Sequence, residues 1–137
     1  MIQFRASDYI MRIFNLKIIA IVSLVIFISP CFAKVMHKKT FIFFYASYCE
    51  HCHQMADVLV KIRKKHGIRI IANSLDGKPI AQFPDAIHNE NLNRKFKIIA
   101  TPTIIAVDVE KQTFEVVTVE LETYPMLEAK ILAQLNG

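Results

Sequence analysis

The sequence predicts an α/β domain, a mixed four-stranded sheet flanked by helices, and three features predict it. An apolar run of strand length is followed by a stretch of helical period and a second strand-like run, the order of a parallel crossover pair. The C-terminal part reads strand, strand, helix. A Cys-x-x-Cys pair lies where the first strand gives way to the first helix.

The first strand is Phe41-Ile42-Phe43-Phe44-Tyr45, continuously apolar and rich in aromatics, as a strand buried on both faces requires. Ala46-Ser47-Tyr48 forms a short loop to Cys49. From about Glu50 to Lys65 the period becomes helical: Met55, Val58, Leu59 and Ile62 recur at core spacing, and Gln54, Asp57, Lys61 and Lys64 take the other face. Gly67 is placed to stop that helix, and Ile68 to Ala72 reads as the second strand. Ser74 to Phe83, with Asp76-Gly77 and Pro79, reads as an irregular loop. A short helix is expected over 89–96, with Leu92 and Phe96 one turn apart. After Thr101-Pro102-Thr103 come two further strands, Ile104 to Val107 and Phe114 to Leu121. Pro125 opens a last helix whose buried stripe is Leu127, Ile131, Leu132 and Leu135. Helices on both faces of the sheet follow from this order.

Hydrophobic residues make up 53% of the 137. Much of that excess lies between Ile18 and Ile28, behind Arg12 and Lys17 and ahead of Ser29-Pro30-Cys31-Phe32-Ala33. A basic flank, a short apolar run, a proline break and a small terminal residue read as a signal peptide over 1–33, cleaved after Ala33. Met11 to Lys17 is a complete basic leader by itself, which makes Met11 an alternative start. The run falls short of the roughly 20 apolar residues of a bilayer-crossing helix. Retained, it would make an inner-membrane anchor; cleaved, it leaves a periplasmic domain of residues 34–137. Cys31 leaves with the leader, and its surroundings match a lipoprotein signal poorly. Cleavage takes the net charge from +5 to +3, a weak basic bias. Its main cluster, Lys61, Arg63, Lys64 and Lys65, suits a helix C-terminus and gives no reason to expect a nucleic-acid partner.

The mature domain keeps two cysteines, Cys49 and Cys52, in a compartment where disulfides persist. At a helix N-terminus the free backbone N–H groups and the macrodipole favour an anion. Thiol pKa values in such places fall to roughly 3.5–7.5 from about 8.5. Cys49 is therefore the expected nucleophile, and Cys52, one turn on, the thiol that resolves a mixed disulfide. His51, if protonated, stabilises the thiolate and makes the couple more oxidising, with an idle exposed histidine as the plain alternative. No cofactor or metal is expected. The competing uses are c-type haem attachment, which Cys49-Glu50-His51-Cys52-His53 matches as C-x-x-C-H, with an envelope haem or metal carrier built on the same residues, and a structural zinc site drafting Cys49, Cys52, His53 and His88, whose spacing matches no common closed site. A plain structural disulfide completes the set.

With these residues in view, the chain resembles the thioredoxin superfamily from about Phe41 to Leu135, and within it bacterial periplasmic disulfide isomerases. The resemblance implies the thioredoxin fold, with Cys49 and Cys52 as its active pair. Thr101-Pro102 looks like the superfamily's cis-proline loop, which lies opposite the cysteines and presents backbone to substrate. Tyr48 to His53, Ser74-Leu75-Asp76-Gly77, Phe83-Pro84 and Thr101-Pro102-Thr103 are similar to the thioredoxin-like isomerases of F-type conjugation systems. That likeness implies cysteine-containing protein substrates in conjugative pilus assembly, and a membrane thiol-redox partner that resets the pair. Phe43 stands where thioredoxin carries a buried acid, and Tyr48 replaces the tryptophan before its motif. A proton relay is then expected to run through His51 or water. The likeness does not extend to the separate dimerisation domain of the V-shaped isomerases, so a dimer cleft is not expected to capture substrate.

Overall fold

The computed structural model describes residues 38–137; the leader, its cleavage after Ala33, the anchor alternative, Met11 and Cys31 lie outside the described residues. The chain order is β1 (Lys39–Tyr45), α1 (Glu50–His66), β2 (Ile70–Ser74), α2 (Glu90–Lys95), β3 (Thr103–Asp108), β4 (Thr113–Thr118) and α3 (Tyr124–Asn136). The strands form one mixed sheet in the order β2-β1-β3-β4. β1 pairs parallel with β2, from Phe41 opposite Ile70 to Tyr45 opposite Ser74. It pairs antiparallel with β3, which pairs antiparallel with β4 through a bulge at Ile104/Ile105.

β1 is central because its sequence serves both faces. Its side chains alternate across the sheet. Phe41, Phe43 and Tyr45 enter a core with Cys52, Met55, Leu59 and Ile62 of α1 and Leu127 and Ile131 of α3. Ile42 and Phe44 enter the smaller opposite layer, against Leu92, Phe96 and Ile98. Each such burial is worth about 1.5–3 kcal/mol relative to exposure. α1 ends where its sequence says it should: Gly67 adopts φ +63°, and its N–H donates to the Arg63 carbonyl at 2.9 Å.

Three local expectations are corrected. β2 runs from Ile70 to Ser74, two residues later than Ile68 to Ala72, because Asn73 and Ser74 are buried with their polar groups bonded. The Asn73 amide donates to the Asn93 side chain at 2.7 Å and accepts the Asn89 N–H at 2.9 Å. The 74–83 loop is irregular, yet Ile80 and Phe83 are core residues, joined by an isolated bridge. β4 stops at Thr118, whose hydroxyl turns to the Glu120 backbone and the Glu122 carboxylate. In α3, Leu127 and Ile131 are fully buried, whereas Leu132 is half-buried.

The basic end of α1 is partly spent inside the molecule. The Arg63 guanidinium lies 5.1 Å above the Phe83 ring. Lys65 and His66 both reach Glu128 of α3, at 2.9 and 2.6 Å. Among the described residues, no helix is long and apolar enough to cross a membrane.

Candidate active site

The loop 46–48 carries the chain from the end of β1 to Cys49, which is the N-cap of α1. Cys49 has extended backbone angles, φ −86° and ψ 107°, and its Sγ accepts the Cys52 N–H at 3.2 Å. The same N–H also donates to the Cys49 carbonyl at 3.0 Å, so the sulfur shares a donor of the helix's first turn, at the place a serine or aspartate cap oxygen would take. Cys49 and Cys52 are joined as a disulfide, with Cα atoms 5.2 Å apart. Cys52 is 0% exposed and packs among Met55, Ala56 and the β1 aromatics, whereas Cys49 is half-buried at the surface. Of the two cysteines, one reaches the surface and the other lies in the core.

The second wall of the site is the segment before β3. The Thr101–Pro102 peptide is cis, and the Thr101 carbonyl oxygen lies 4.0 Å from Cys49 Sγ. Thr101 is half-buried and Pro102 buried, with the Thr103 hydroxyl tied back to the Ala100 carbonyl at 2.8 Å. Tyr48, next to Cys49 in the chain, is 84% exposed, and Ile99, two residues before Thr101, is 97% exposed. Cys49, Cys52, Thr101 and Pro102 are thus brought together as the sequence suggests. His51 sits on the exposed side of the first turn of α1.

A polar cluster on the approach to Cys49 was only partly legible. Ser47 presents three polar groups, and each is bonded. Its N–H and its hydroxyl both donate to the Asp76 carboxylate, and its carbonyl accepts from His53 Nε2 at 2.8 Å. The Ser74 hydroxyl also donates to Asp76, at 2.8 Å. The Ser47 hydroxyl above all, with help from Ser74 and the backbone N–H groups of Ser47 and Lys78, holds the Asp76 carboxyl well below the usual carboxylate range. The Asp-Gly pair was a sequence signal for a turn, which Gly77 makes with φ +75°. Nothing in the spacing announced that the carboxylate would reach back to Ser47.

Of the residues drafted for a metal, His88 is turned elsewhere. Its Nδ1 bonds the Ser74 carbonyl at 2.8 Å, and its ring lies beside Gly77. Among the described residues, no group of three or more His, Cys, Asp or Glu side chains is arranged to hold a metal ion. Where thioredoxin has a buried acid, Phe43 is fully buried and stacks on Tyr45, ring centroids 5.4 Å apart.

A mixed four-stranded sheet with a Cys-x-x-Cys pair at the first strand-to-helix junction and a cis-proline opposite defines a thioredoxin-fold protein equipped for thiol–disulfide exchange. Solved structures agree on the fold. Chloroplastic thioredoxin z aligns with TM-score 0.55 and 15% identity, covering 74% of this chain and 80% of its own. StoA from Bacillus subtilis aligns with TM-score 0.55 and 15% identity, covering 69% and 83%. MTB dsbF aligns with TM-score 0.55 and 14% identity, covering 72% and 81%. Identities this low speak to the fold alone. The family is given by sequence: residues 31–132 match the model for TraF, the F plasmid transfer operon protein, and the chain belongs to that family. A search of curated proteins finds no match.

Proposed function

We propose that the protein is a periplasmic thiol–disulfide isomerase acting on the disulfides of exported proteins during assembly of a conjugative pilus. The observation that carries the chemistry is Cys49 at the N-cap of α1, with the Cys52 N–H on its sulfur. When the pair is reduced, that donor and the helix terminus favour the Cys49 thiolate over the thiol. The thiolate attacks one sulfur of a substrate disulfide. A Cys49–substrate disulfide forms, and the other substrate sulfur leaves as a thiolate. No electrons are gained or lost overall in this step; Cys49 is oxidised as the departing sulfur is reduced. The freed thiolate attacks a second substrate disulfide and releases another substrate thiolate; that thiolate attacks the substrate sulfur bonded to Cys49, which forms a rearranged substrate disulfide and returns Cys49 as the leaving thiolate. Alternatively Cys52 attacks Cys49, releasing reduced substrate and leaving the internal disulfide.

The Thr101 carbonyl beside the sulfur is suited to holding an extended substrate segment, and exposed Tyr48 and Ile99 offer apolar contact to an unfolded chain. Membership in a family named for F plasmid transfer supports the placement in conjugation. The apolar run 18–28 behind basic residues supports export. A membrane thiol-redox protein is the expected partner that returns the pair to its working state. Reactivation of scrambled ribonuclease in a glutathione buffer tests the assignment. Wild type should restore ribonuclease activity, and Cys49→Ser should not. Failure of wild type to restore activity, with a Soret band or stoichiometric metal on protein purified from the envelope, would replace the isomerase with a carrier.

A further inference from the structure

The turn 74–77 and His53 lie off the reaction path, yet both close on Ser47, two residues before the nucleophile. The geometry points to a clamp, Asp76–Ser47–His53, that positions Cys49 on the N-terminus of α1 and thereby sets its reactivity. The inference rests on the thiol–disulfide reading of the site and assigns positioning roles to two residues, Asp76 and His53.

The chemistry of the partners makes the clamp directional. A carboxylate only accepts hydrogen bonds, so the Ser47 N–H and hydroxyl are the donors in the bonds between Ser47 and Asp76. A carbonyl also only accepts, so His53 Nε2 must carry the proton it shares with the Ser47 carbonyl at 2.8 Å. Ser47 is therefore gripped on both edges of its backbone, by a turn 29 residues ahead in sequence and by the first turns of α1 itself. The Cys49 N–H closes the loop from within by donating to the Ala46 carbonyl at 3.1 Å. These contacts fix where Cys49 enters the helix. The bond that steadies its sulfur, from the Cys52 N–H at 3.2 Å, depends on that entry. Bonds to an ionised group are roughly twice as strong as neutral ones, so Asp76 is the stronger jaw. Asp76 itself is anchored by the Ser74 hydroxyl, and Ser74 is buried in the last position of β2. The clamp thus ties the nucleophile to the edge strand of the sheet.

His51 and His53 then differ in kind. His51 lies on the exposed face, where any influence on the thiolate acts through solvent. His53 acts through a hydrogen bond to the loop, which a neutral donor of similar reach would reproduce.

The test uses reduced full domain and a small aromatic disulfide, 5,5′-dithiobis(2-nitrobenzoate), as the probe. The rate of Cys49 attack is followed against pH, with the Cys49 thiol pKa read from the profile. Circular dichroism confirms that each variant is folded. Asp76→Asn and His53→Ala should each slow attack at neutral pH about tenfold and raise the Cys49 pKa by about one unit, equivalent to about 1.4 kcal/mol. His53→Gln, which keeps a donor near the Nε2 position, should react within about twofold of wild type. The double variant should be little slower than either single one, since both act on one loop. A wild type that does not react with the probe would sink the thiol–disulfide reading itself. A reactive wild type with unchanged Asp76→Asn and His53→Ala profiles would overturn the clamp alone. So would a His53→Gln variant as slow as His53→Ala, because that outcome assigns the effect to imidazole charge.

Discussion

Replacing Phe83 by alanine should cost the domain several kcal/mol, although Phe83 lies in a loop rich in proline, glycine and polar residues. The ring is 1% exposed. It packs at a tilt on Phe43, centroids 5.7 Å apart, and carries the Arg63 guanidinium at 5.1 Å. Truncating a buried phenylalanine to alanine costs about 3–5 kcal/mol through lost transfer energy and the cavity left behind. The Arg63 stacking adds about 0.5–1 kcal/mol at a partly exposed site. Stabilities of domains this size lie at about 5–15 kcal/mol, so the loss is a large share of the total. Urea unfolding of the oxidised protein is the assay. With a slope of about 2 kcal/mol per molar, a loss of about 4 kcal/mol moves the midpoint down by about 2 M. Arg63→Gln should cost less than about 1 kcal/mol in wild type and almost nothing in the Phe83→Ala background. A loss below about 1 kcal/mol for Phe83→Ala would refute the reasoning, because the 79–84 segment would then not be packed into the core.

Asn73→Ala should destabilise by about 2–3 kcal/mol, since it leaves the Asn89 N–H and the Asn93 side chain without the buried amide that joins β2 to α2; chemical denaturation measures it. Glu128 carries an acid-sensitive contribution. Bonds from His66 first, then Lys65 and Tyr124, lower its pKa from 4.5 to about 2. A carboxylate with a depressed folded-state pKa stabilises the fold fully above its unfolded value and loses that contribution as pH falls toward the folded one. Between about pH 4.5 and 2, wild type should therefore lose stability more steeply than Glu128→Gln, as thermal melts across that range would show. His51→Ala should make the Cys49–Cys52 couple more reducing by at most some tens of millivolts, where about 30 mV is about 1.4 kcal/mol; equilibration with glutathione reads the potential, and no shift assigns His51 to solvent.

What could be read from the sequence follows from whether a signal was local. β1 was legible because Phe41 to Tyr45 is apolar without a break, and α1 because Met55, Leu59 and Ile62 keep helical spacing to a glycine stop. The cysteine pair was legible because its chemistry depends on a junction that both neighbouring elements announce. Asn73, Ser74 and Phe83 were not. The first two are polar residues in a strand, made acceptable by partners that only the tertiary fold supplies, and Phe83 is an apolar residue in a segment with no period. The site divides in the same way. Cys49 and Cys52 stand in one motif, and Thr101-Pro102 entered by resemblance to a family loop. The bonds from Ser47 to Asp76 span 29 residues and carry no pattern that a periodicity or a motif would reveal.

The central claim is that Cys49 attacks foreign disulfides and Cys52 resolves the adduct. Trapping mixed disulfides in envelope extracts quenched with acid and alkylating agent tests it most directly. Cys52 is fully buried and Cys49 is at the surface, so the two single variants should behave differently. Cys52→Ser keeps the attacking sulfur and should accumulate in reducible, higher-mass adducts, with conjugation-apparatus proteins among the captured partners. Cys49→Ser should capture none. Equal trapping by both variants would contradict the assignment of Cys49 as nucleophile, and no trapping by either would contradict the exchange chemistry itself.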